Sequence, residues 1–421
     1  MKREQLAGIL SLLLVSACGS TAGTALQSPS AASNVPTAIS SSPTPTPLNS
    51  PTPAGSPAAS PASSISTPFS VLPRKQPAGF VSKITCTGTI GATDPVAVVT
   101  LHGSTGGDTV LRDYANSTNP RTACVFKNNQ VVQLIDARHV VISPQLGGAD
   151  SYAFAVVDLP AVRYRWFQLP RPADTGVGLI AVSPSLNEVA WLSNNDRTGG
   201  DRKVHLTTRA GDKVVAALPI ALGRCGSSEA SKQGAYTNTS SHLYVLDQPL
   251  PDNTLLVFQG SKQVMAVRPP SAGWPKGVAS QPMMAVWSPT SGTLFYRQNG
   301  SVWKWTQASG TQLYMRGVSW YYPTFSADGS HLAYAVLRPD GLHSVYLVDI
   351  AHGGSPKLIG KGARNLPVFL NSKQLLYRTE GQGICGPSAN QPLVYDLTSG
   401  SESSTIIDGA SRVWPATSSQ F

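Results

Sequence analysis

The sequence is poor in charged residues and has no long apolar segment beyond its first twenty residues. Only 13% of its 421 residues are charged. No later apolar run approaches the roughly 18 residues that a membrane-spanning helix needs. The 32 Lys and Arg residues outnumber the 22 Asp and Glu residues, but they are scattered singly. Nucleic-acid surfaces concentrate basic residues on one stripe, so nucleic acid is not expected as a partner.

Motifs for metal binding and for catalysis are also missing. No CxxC or HxxxH spacing occurs, so neither a metal nor another cofactor is expected. The glycine-rich segment 103–107 has Thr105 where the nucleophile elbow of an α/β-hydrolase needs serine. No catalytic motif is therefore assigned, and a non-catalytic role is favoured.

The first residues have the pattern of a secretion signal. Lys2 and Arg3 precede an apolar run over residues 6–15, followed by small residues. The tetrad Val15-Ser16-Ala17-Cys18 resembles the bacterial lipobox, in which the cysteine is acylated. Residues 1–17 are thus predicted to be a lipoprotein signal peptide, and Cys18 an anchor on the outer side of the bacterial cell membrane. The alternative is an ordinary secretory signal with an unpaired cysteine.

Residues 18–78 are predicted to be a disordered tether. They are rich in Pro, Ser, Thr and Ala, have no aromatic residue before Phe69 and carry almost no charge. Such a segment cannot bury enough apolar surface to offset the loss of chain entropy. Its prolines keep it extended, at up to ~3.1 Å per residue, so it would hold a following domain well clear of the membrane.

Residues 321–361 have the pattern of one four-stranded blade of a β-propeller. Two apolar strands flank the turn at residues 326–329, and two more follow turns at 339–341 and 353–354. A single sheet of this kind cannot bury both of its faces, so copies of it must stack.

Five further copies align on the turn between the first and second strands, and they predict an all-β propeller over residues 79–421. The second strands are predicted to open at His139, Glu188, His242, Thr293, His331 and Gln374. Their spacings of 49, 54, 51, 38 and 43 residues are typical of propeller blades. A seventh blade is favoured over six, with a second strand at 95–101, an outer strand at 123–126 and its first strand supplied by the C-terminal residues 412–416.

The segment Phe325-Ser326-Ala327-Asp328-Gly329-Ser330-His331-Leu332-Ala333-Tyr334 resembles the TolB-like, or PD40, propeller repeat. That repeat reads F-S-P-D-G, two variable residues and L-A-[YF]. The resemblance extends over about residues 79–421 and is closest in the copy at 321–361. It implies a propeller whose relatives serve as protein-binding modules, as parts of peptidases or as lipoproteins of unknown role.

The loops between second and third strands are predicted to lie on one face of the propeller and to be long. They cover residues 103–108, 145–151, 194–202, 248–253, 338–343 and 380–391. Loops on a rigid scaffold are where binding residues collect. The predicted binding face consists of Asp150, Asp196, Arg197, Asp201, Arg202, Arg224, Arg338, Asp340 and His343.

Four cysteines remain after Cys18, and an exported protein lives where disulfides persist. Three pairings are possible. Cys86–Cys124, local to the first blade, and Cys225–Cys385, whose loops share a face, are favoured.

Three functions are compatible with this pattern. The leading hypothesis is a monomeric, membrane-anchored propeller that binds a protein or glycan of the cell envelope through its long loops. The rival is a hydrolase or lyase that acts on wall or extracellular carbohydrate, with loop aspartates such as Asp196 and Asp340 as acid and base. The third is a purely structural spacer.

Overall fold

The computed structural model describes residues 72, 83–88, 90–91, 96–100, 108–113, 115–116, 119, 121–136, 138–144, 153–170, 175–195, 201–218, 232–237, 241–247, 254–268, 284–383, 386–404 and 411–414. The predicted signal peptide, Cys18 and nearly all of the predicted tether lie outside them. Within the described part of the chain, no helix has the length and apolar character needed to cross a bilayer.

The described residues form seven antiparallel sheets, which are the blades of a β-propeller. The strands of the first three blades are β1 (Ile84–Cys86), β2 (Val96–Thr100), β3 (Thr109–Asp113) and β4 (Arg121–Phe126); β5 (Asn129–Leu134), β6 (His139–Pro144), β7 (Ala153–Asp158) and β8 (Arg163–Gln168); and β9 (Thr175–Val182), β10 (Glu188–Asn195), β11 (Lys203–Thr208) and β12 (Gly211–Ala217).

The fourth to seventh blades follow in chain order. Their strands are β13 (Lys232–Tyr236), β14 (His242–Asp247), β15 (Thr254–Gln259) and β16 (Lys262–Val267); β17 (Ala285–Trp287), β18 (Leu294–Gln298), β19 (Ser301–Thr306) and β20 (Gly310–Met315); β21 (Trp320–Phe325), β22 (His331–Leu337), β23 (His343–Asp349) and β24 (Lys357–Ile359); and β25 (Arg364–Phe369), β26 (Gln374–Gly383), β27 (Gly386–Asp396) and β28 (Ser401–Ser404). The last strand is β29 (Ser411–Trp414).

The first strands of the blades surround the propeller axis, since β9 contacts β13, β17 contacts β21 and β21 contacts β25. We call the end with the second-to-third-strand loops the long-loop face. We call the opposite end, with the first-to-second and third-to-fourth-strand turns, the short-turn face. Every second strand therefore runs from the short-turn face to the long-loop face.

The ring is closed by its two ends, as predicted. β29 pairs antiparallel with β2, from Trp414 opposite Val96 to Ser411 opposite Val99, and supplies the first strand that the first blade lacks. The first blade also has a fifth strand that the sequence did not reveal. β1 pairs with the outside of β4 and places Cys86 opposite Cys124, and these two cysteines form a disulfide.

The turn that recurs between first and second strands is held by one buried serine. Ser326 Oγ donates to Asp328 Oδ1 at 2.6 Å and accepts from the N–H of His331 at 2.9 Å. Gly329 follows at a φ of +69°, where a side chain would be strained. In the third blade Ser183 Oγ accepts from the first N–H of β10 at 3.0 Å in the same way. The recurring serine is therefore a structural residue.

The core lies in seams between neighbouring blades. Successive side chains of a strand point to opposite sides, so Val140 and Ile142 pack toward the first blade and Val141 packs toward the third. Leu72, within the range predicted as tether, is 3% exposed and packs in the seam between the second and third blades. The chain thus contacts the propeller N-terminal to the predicted boundary at residue 79.

Candidate binding site on the long-loop face

Five of the nine predicted face residues are described, namely Asp201, Arg202, Arg338, Asp340 and His343. Asp150, Asp196, Arg197 and Arg224 lie outside the described residues, as do Cys225 and Cys385.

Arg202 does not lie on the rim where the sequence analysis put it. Its residue is 2% exposed, because its carbonyl accepts from the N–H of Leu218 at 2.8 Å and continues the β11–β12 ladder into the blade. Asp201, the preceding residue, is exposed and has a φ of +50°. Only Asp201 of this pair presents its side chain to solvent.

Arg338 and Asp340 form an exposed ion pair in the turn between β22 and β23. Arg338 Nη2 lies 2.7 Å from Asp340 Oδ2, and the two side chains are 36% and 44% exposed. Asp340 Oδ1 also accepts from the N–H of Leu342 at 3.1 Å, a local turn contact. Such exposed pairs are worth only about 0–1 kcal/mol, so this pair is better suited to meeting a ligand than to stabilising the fold.

His343, the third predicted residue of this loop, is buried and joins the sixth blade to the seventh. Its Nδ1 lies 2.9 Å from Oε1 of Glu380 in β26, and its backbone N–H donates to the same carboxylate. The Glu380 side chain is 1% exposed, and Asn365 Nδ2 donates to its Oε1 at 2.9 Å. A buried carboxylate that accepts several hydrogen bonds stays in one orientation and holds His343 with it.

The contact with Glu380 leaves the other ring nitrogen of His343 available. With an ionised Glu380 the proton sits on Nδ1, and Nε2 is then an acceptor. No residue of the described chain hydrogen bonds to this Nε2, and the side chain is 11% exposed. His343 can therefore accept a hydrogen bond from a ligand hydroxyl or N–H at a fixed position.

Two tyrosines of β21 flank the His343 ring. The ring centroid of Tyr321 lies 5.1 Å away in an edge-on arrangement, and that of Tyr322 lies 6.4 Å away. Burial, together with the charge of Glu380 and the nearby Tyr321, raises the pKa of Tyr322. Tyr322 thus keeps a neutral hydroxyl next to the histidine at any physiological pH.

Arg297 of β18 extends this arrangement into the fifth blade. The residue is 2% exposed, and its Cζ lies 4.4 Å from the ring centroid of Tyr321. Its Nη1 donates to the carbonyl of Trp320 at 2.8 Å, and burial lowers its pKa. A guanidinium that lies over the face of an aromatic ring is attracted to the negative charge of that face.

We call the residues that these contacts connect the His343 cluster. It consists of Arg297, Tyr321, Tyr322, His343, Asn365 and Glu380. The cluster spans three consecutive blades and lies at the long-loop face, because its members stand near the starts of first and third strands and the ends of second strands.

The first strands of the sixth and seventh blades share an unusual bulge at this cluster. Tyr322 and Leu366 have φ values of +50° and +54°, and each directly precedes a proline. The pairing register of both strands shifts at these positions. A left-handed residue other than glycine costs roughly 1–2 kcal/mol, so the surrounding structure must hold it. Bulges commonly re-aim side chains beside functional sites.

Glu380 is not among the predicted site residues, because residues 380–391 were predicted to form a loop. The structure instead continues β26 to Gly383 and begins β27 at Gly386, which makes a long hairpin in the seventh blade. One sequence signal does point to the bulges. Pro323 and Pro367 stand at the same place in two first strands, and a proline inside a strand indicates a bulge or an edge.

No protein-family model matches the chain, and no curated protein sequence matches it either. Solved structures do. TolB from Acinetobacter baumannii is 12% identical, with a TM-score of 0.36 over 73% of this chain and 78% of TolB. An oligogalacturonate lyase in complex with manganese is 13% identical, with a TM-score of 0.41 over 75% of this chain and 86% of the lyase.

A prolyl endopeptidase is also similar, at 12% identity and a TM-score of 0.46. The match covers 77% of this chain but only half of the endopeptidase. At these identities and TM-scores the matches say nothing of function, and the propeller fold rests on the seven sheets described above.

Proposed function

We propose that this protein is a lipid-anchored extracytoplasmic β-propeller that binds a protein or glycan of the cell envelope at the His343 cluster on its long-loop face. The observation that carries the proposal is the junction between His343 and Glu380. It fixes a ring nitrogen to which no described residue hydrogen bonds, beside two tyrosines and three residues after the exposed Arg338–Asp340 pair.

Several features of the cluster favour binding over a purely structural role. Tyr321 and Tyr322 are half-buried, so part of each ring is covered and part is accessible. Aromatic rings of this kind offer a flat apolar surface with a polar tip, which suits a sugar ring or an amide-rich peptide. The ligand would meet groups that are already held in place, which reduces the entropy lost on binding.

The membrane anchor is part of the proposal and rests on the sequence around Cys18. Each lipid chain would contribute about 0.8 kcal/mol per buried CH₂, so two or three chains would hold the protein on the membrane. Mass spectrometry of the N-terminal peptide tests this directly. A Cys18→Ser variant should appear in the soluble fraction, whereas equal membrane retention would contradict the anchor.

The binding proposal is tested by a crosslinked pull-down from the native envelope with a matched pair of variants. His343→Gln removes the ring but keeps a donor for Glu380. His352→Gln removes an exposed histidine of the same blade, at the opposite end of β23. Both variants should unfold at nearly the same temperature as the wild type.

We expect one protein or glycan to be retained by the wild type and by His352→Gln. His343→Gln should lose at least about tenfold in affinity, which corresponds to about 1.4 kcal/mol. Mass spectrometry of bound proteins and of released sugars identifies the class of ligand. Equal retention by both variants would reject the His343 cluster as the binding site.

A further inference from the structure

The third blade contains a serine, a histidine and an aspartate whose side chains are joined by two successive hydrogen bonds. Ser193 Oγ lies 2.9 Å from His205 Nε2, and His205 Nδ1 lies 2.8 Å from Asp212 Oδ2. They stand on three adjacent strands, β10, β11 and β12. The pairing registers put all three side chains on the same face of the sheet.

Two further residues set the hydrogen bonds on the Asp212 side of this array. Trp191 Nε1–H donates to Thr207 Oγ1 at 2.9 Å, so the Thr207 hydroxyl donates onward to Asp212 Oδ1 at 2.6 Å. In the tautomer with its proton on Nδ1, His205 donates to Asp212 Oδ2. The lone pair of Nε2 then faces the Ser193 hydroxyl.

The His205 ring is also held in its plane. It stacks on Trp191 with a centroid distance of 3.8 Å and an interplanar angle of 16°. Trp191 is itself 2% exposed and packs in the seam between the second and third blades. The ring is therefore oriented from one side by stacking and from its edge by Asp212. This is the arrangement that activates a serine nucleophile: a base on the hydroxyl, and a carboxylate that orients the base.

We propose that Ser193 is the nucleophile of an acyl-transfer site that cleaves small acyl esters, with His205 as general base and Asp212 as the positioning carboxylate. This activity goes beyond the proposed binding function and uses none of the residues of the His343 cluster.

The reaction balances with water as the only co-reactant. As the Ser193 Oγ forms a bond to the acyl carbon, its proton moves to His205 Nε2. The ester C–O bond then breaks, and the leaving alkoxide takes that proton. Water then attacks the acyl-serine and gives a proton to His205. The Oγ–C bond breaks to release the carboxylic acid, and the Ser193 Oγ takes that proton back from His205, which restores both residues.

The surroundings of the site define the substrate. Ser193 is 7% exposed, so only a narrow acyl group such as acetyl can reach it. The His205 and Asp212 side chains are 12% and 32% exposed, so the base lies close to solvent. Lys203 is directly opposite Ser193 in the strand register and is exposed. Directly opposite residues have their side chains on the same face of the sheet, and an ammonium at this position would favour the negative charge that develops on the carbonyl oxygen.

The first test is labelling of the full-length wild-type protein with a biotinylated fluorophosphonate, followed by peptide mapping. We expect a single adduct on Ser193 and a burst of p-nitrophenol from p-nitrophenyl acetate. Ser193→Ala should lose both signals. Ser143→Ala should keep them, because Ser143 lies near the same end of the second strand in the neighbouring blade and accepts a hydrogen bond from Gln130 instead of contacting a histidine.

Two conservative variants test whether Ser193 is labelled because its hydroxyl is activated by His205 or only because it is accessible. Asp212→Asn and His205→Gln should each slow labelling of Ser193 by at least about tenfold, since loss of the orienting carboxylate impairs proton transfer. An unlabelled Ser193 in the folded wild type would overturn the proposal, as would equal labelling rates in His205→Gln. Labelling of Ser193 and retention of an envelope ligand are separate readouts, so failure of this site and failure of the binding site are distinguishable.

Discussion

Two carboxylates at the short-turn face and one at the long-loop face perform different tasks. Asp349 and Asp396, at the short-turn face, each serve the turn in which they stand. Asp349 binds His352, three residues away, and this hydrogen bond lowers the pKa of Asp349. Asp396 accepts from the N–H of Ser399, which likewise lowers its pKa. At the long-loop face, Glu380 is buried and binds a histidine of another blade.

These two kinds of contact have different origins. The contacts of Asp349 and Asp396 belong to turns, whereas the contact of Glu380 with His343 occurs at one junction between two blades. A turn contact can recur in every blade because it needs only its own few residues. The junction between His343 and Glu380 needs two neighbouring blades with different sequences, and no turn chemistry requires it. The comparison supports the proposal that the ligand binds at the His343 cluster, on the long-loop face of the fifth to seventh blades.

The largest expected effect comes from removing the buried carboxylate. Glu380→Ala leaves the His343 and Asn365 donors without their acceptor, and it should lower the free energy of unfolding by about 3 kcal/mol. Asp349→Ala, at the short-turn face, should have a much smaller effect. Urea denaturation of the two variants compares them, and equal losses would remove the distinction between the two faces.

The next effect compares one glycine at each face. Gly329 and Gly341 have φ values of +69° and +80°, so alanine is strained at both. A Cβ at Gly329 would also lie 2.5 Å from Thr290 Oγ1, whereas nothing lies within 4 Å of one at Gly341. We expect losses of about 2 kcal/mol for Gly329→Ala and about 1 kcal/mol for Gly341→Ala, measured by urea denaturation. A greater loss for Gly341→Ala would contradict the close approach of Thr290 to the turn at Gly329.

A smaller loss of stability is expected for an ion pair that connects the first and last strands of the seventh blade. Arg364 binds both oxygens of Glu402, and Tyr377 donates to Oε1 of the same carboxylate. Burial raises the pKa of Glu402, but the hydrogen bonds from Arg364 and Tyr377 outweigh it, so the net pKa is lowered. At neutral pH, Glu402→Gln should cost about 1 kcal/mol.

The lowered pKa of Glu402 gives that variant a pH signature. Its stabilisation is present above the ordinary glutamate pKa and is lost as the pH falls through the lower folded value. The difference in unfolding free energy between the wild type and Glu402→Gln should therefore shrink on acidification from about pH 5 toward about pH 3. A difference independent of pH would show that the carboxylate charge does not contribute.

The smallest effect on stability is expected for Arg338→Ala. Its ion pair with Asp340 is exposed, so the free energy of unfolding should change by less than about 1 kcal/mol. Ligand retention in the pull-down should nevertheless fall if Arg338 meets the ligand. Unchanged retention in this folded variant would restrict the site to the buried part of the cluster.

The sequence predicted the blades well because their signals are local. Five of the six predicted second strands begin at the predicted residue, and Thr293 precedes the observed start, Leu294, by one position. Closure of the ring by the C-terminal strand is confirmed. Each of these features depends on a turn of a few residues or on a short apolar run. Both can be recognised in the sequence without knowledge of how the blades are arranged in the propeller.

The sites were not predictable in the same way. His343 was identified as a loop residue, but its partner Glu380 comes within reach only when two blades stand side by side. Ser193, His205 and Asp212 form no contiguous motif, because alternating side chains on three strands bring them together. Their one sequence signal is the position of Ser193 and His205 near the ends of adjoining predicted strands.

The disulfide of the first blade has a mechanical consequence. Leu72 packs against the propeller, and the chain enters the first blade through β1, an edge strand that pairs only with β4 within the described residues. A strand held at an edge by hydrogen bonds alone can be peeled away one bond at a time. The bond between Cys86 and Cys124 stops such peeling at its third residue pair, so a force that pulls β1 from its N-terminal end is carried by a covalent crosslink.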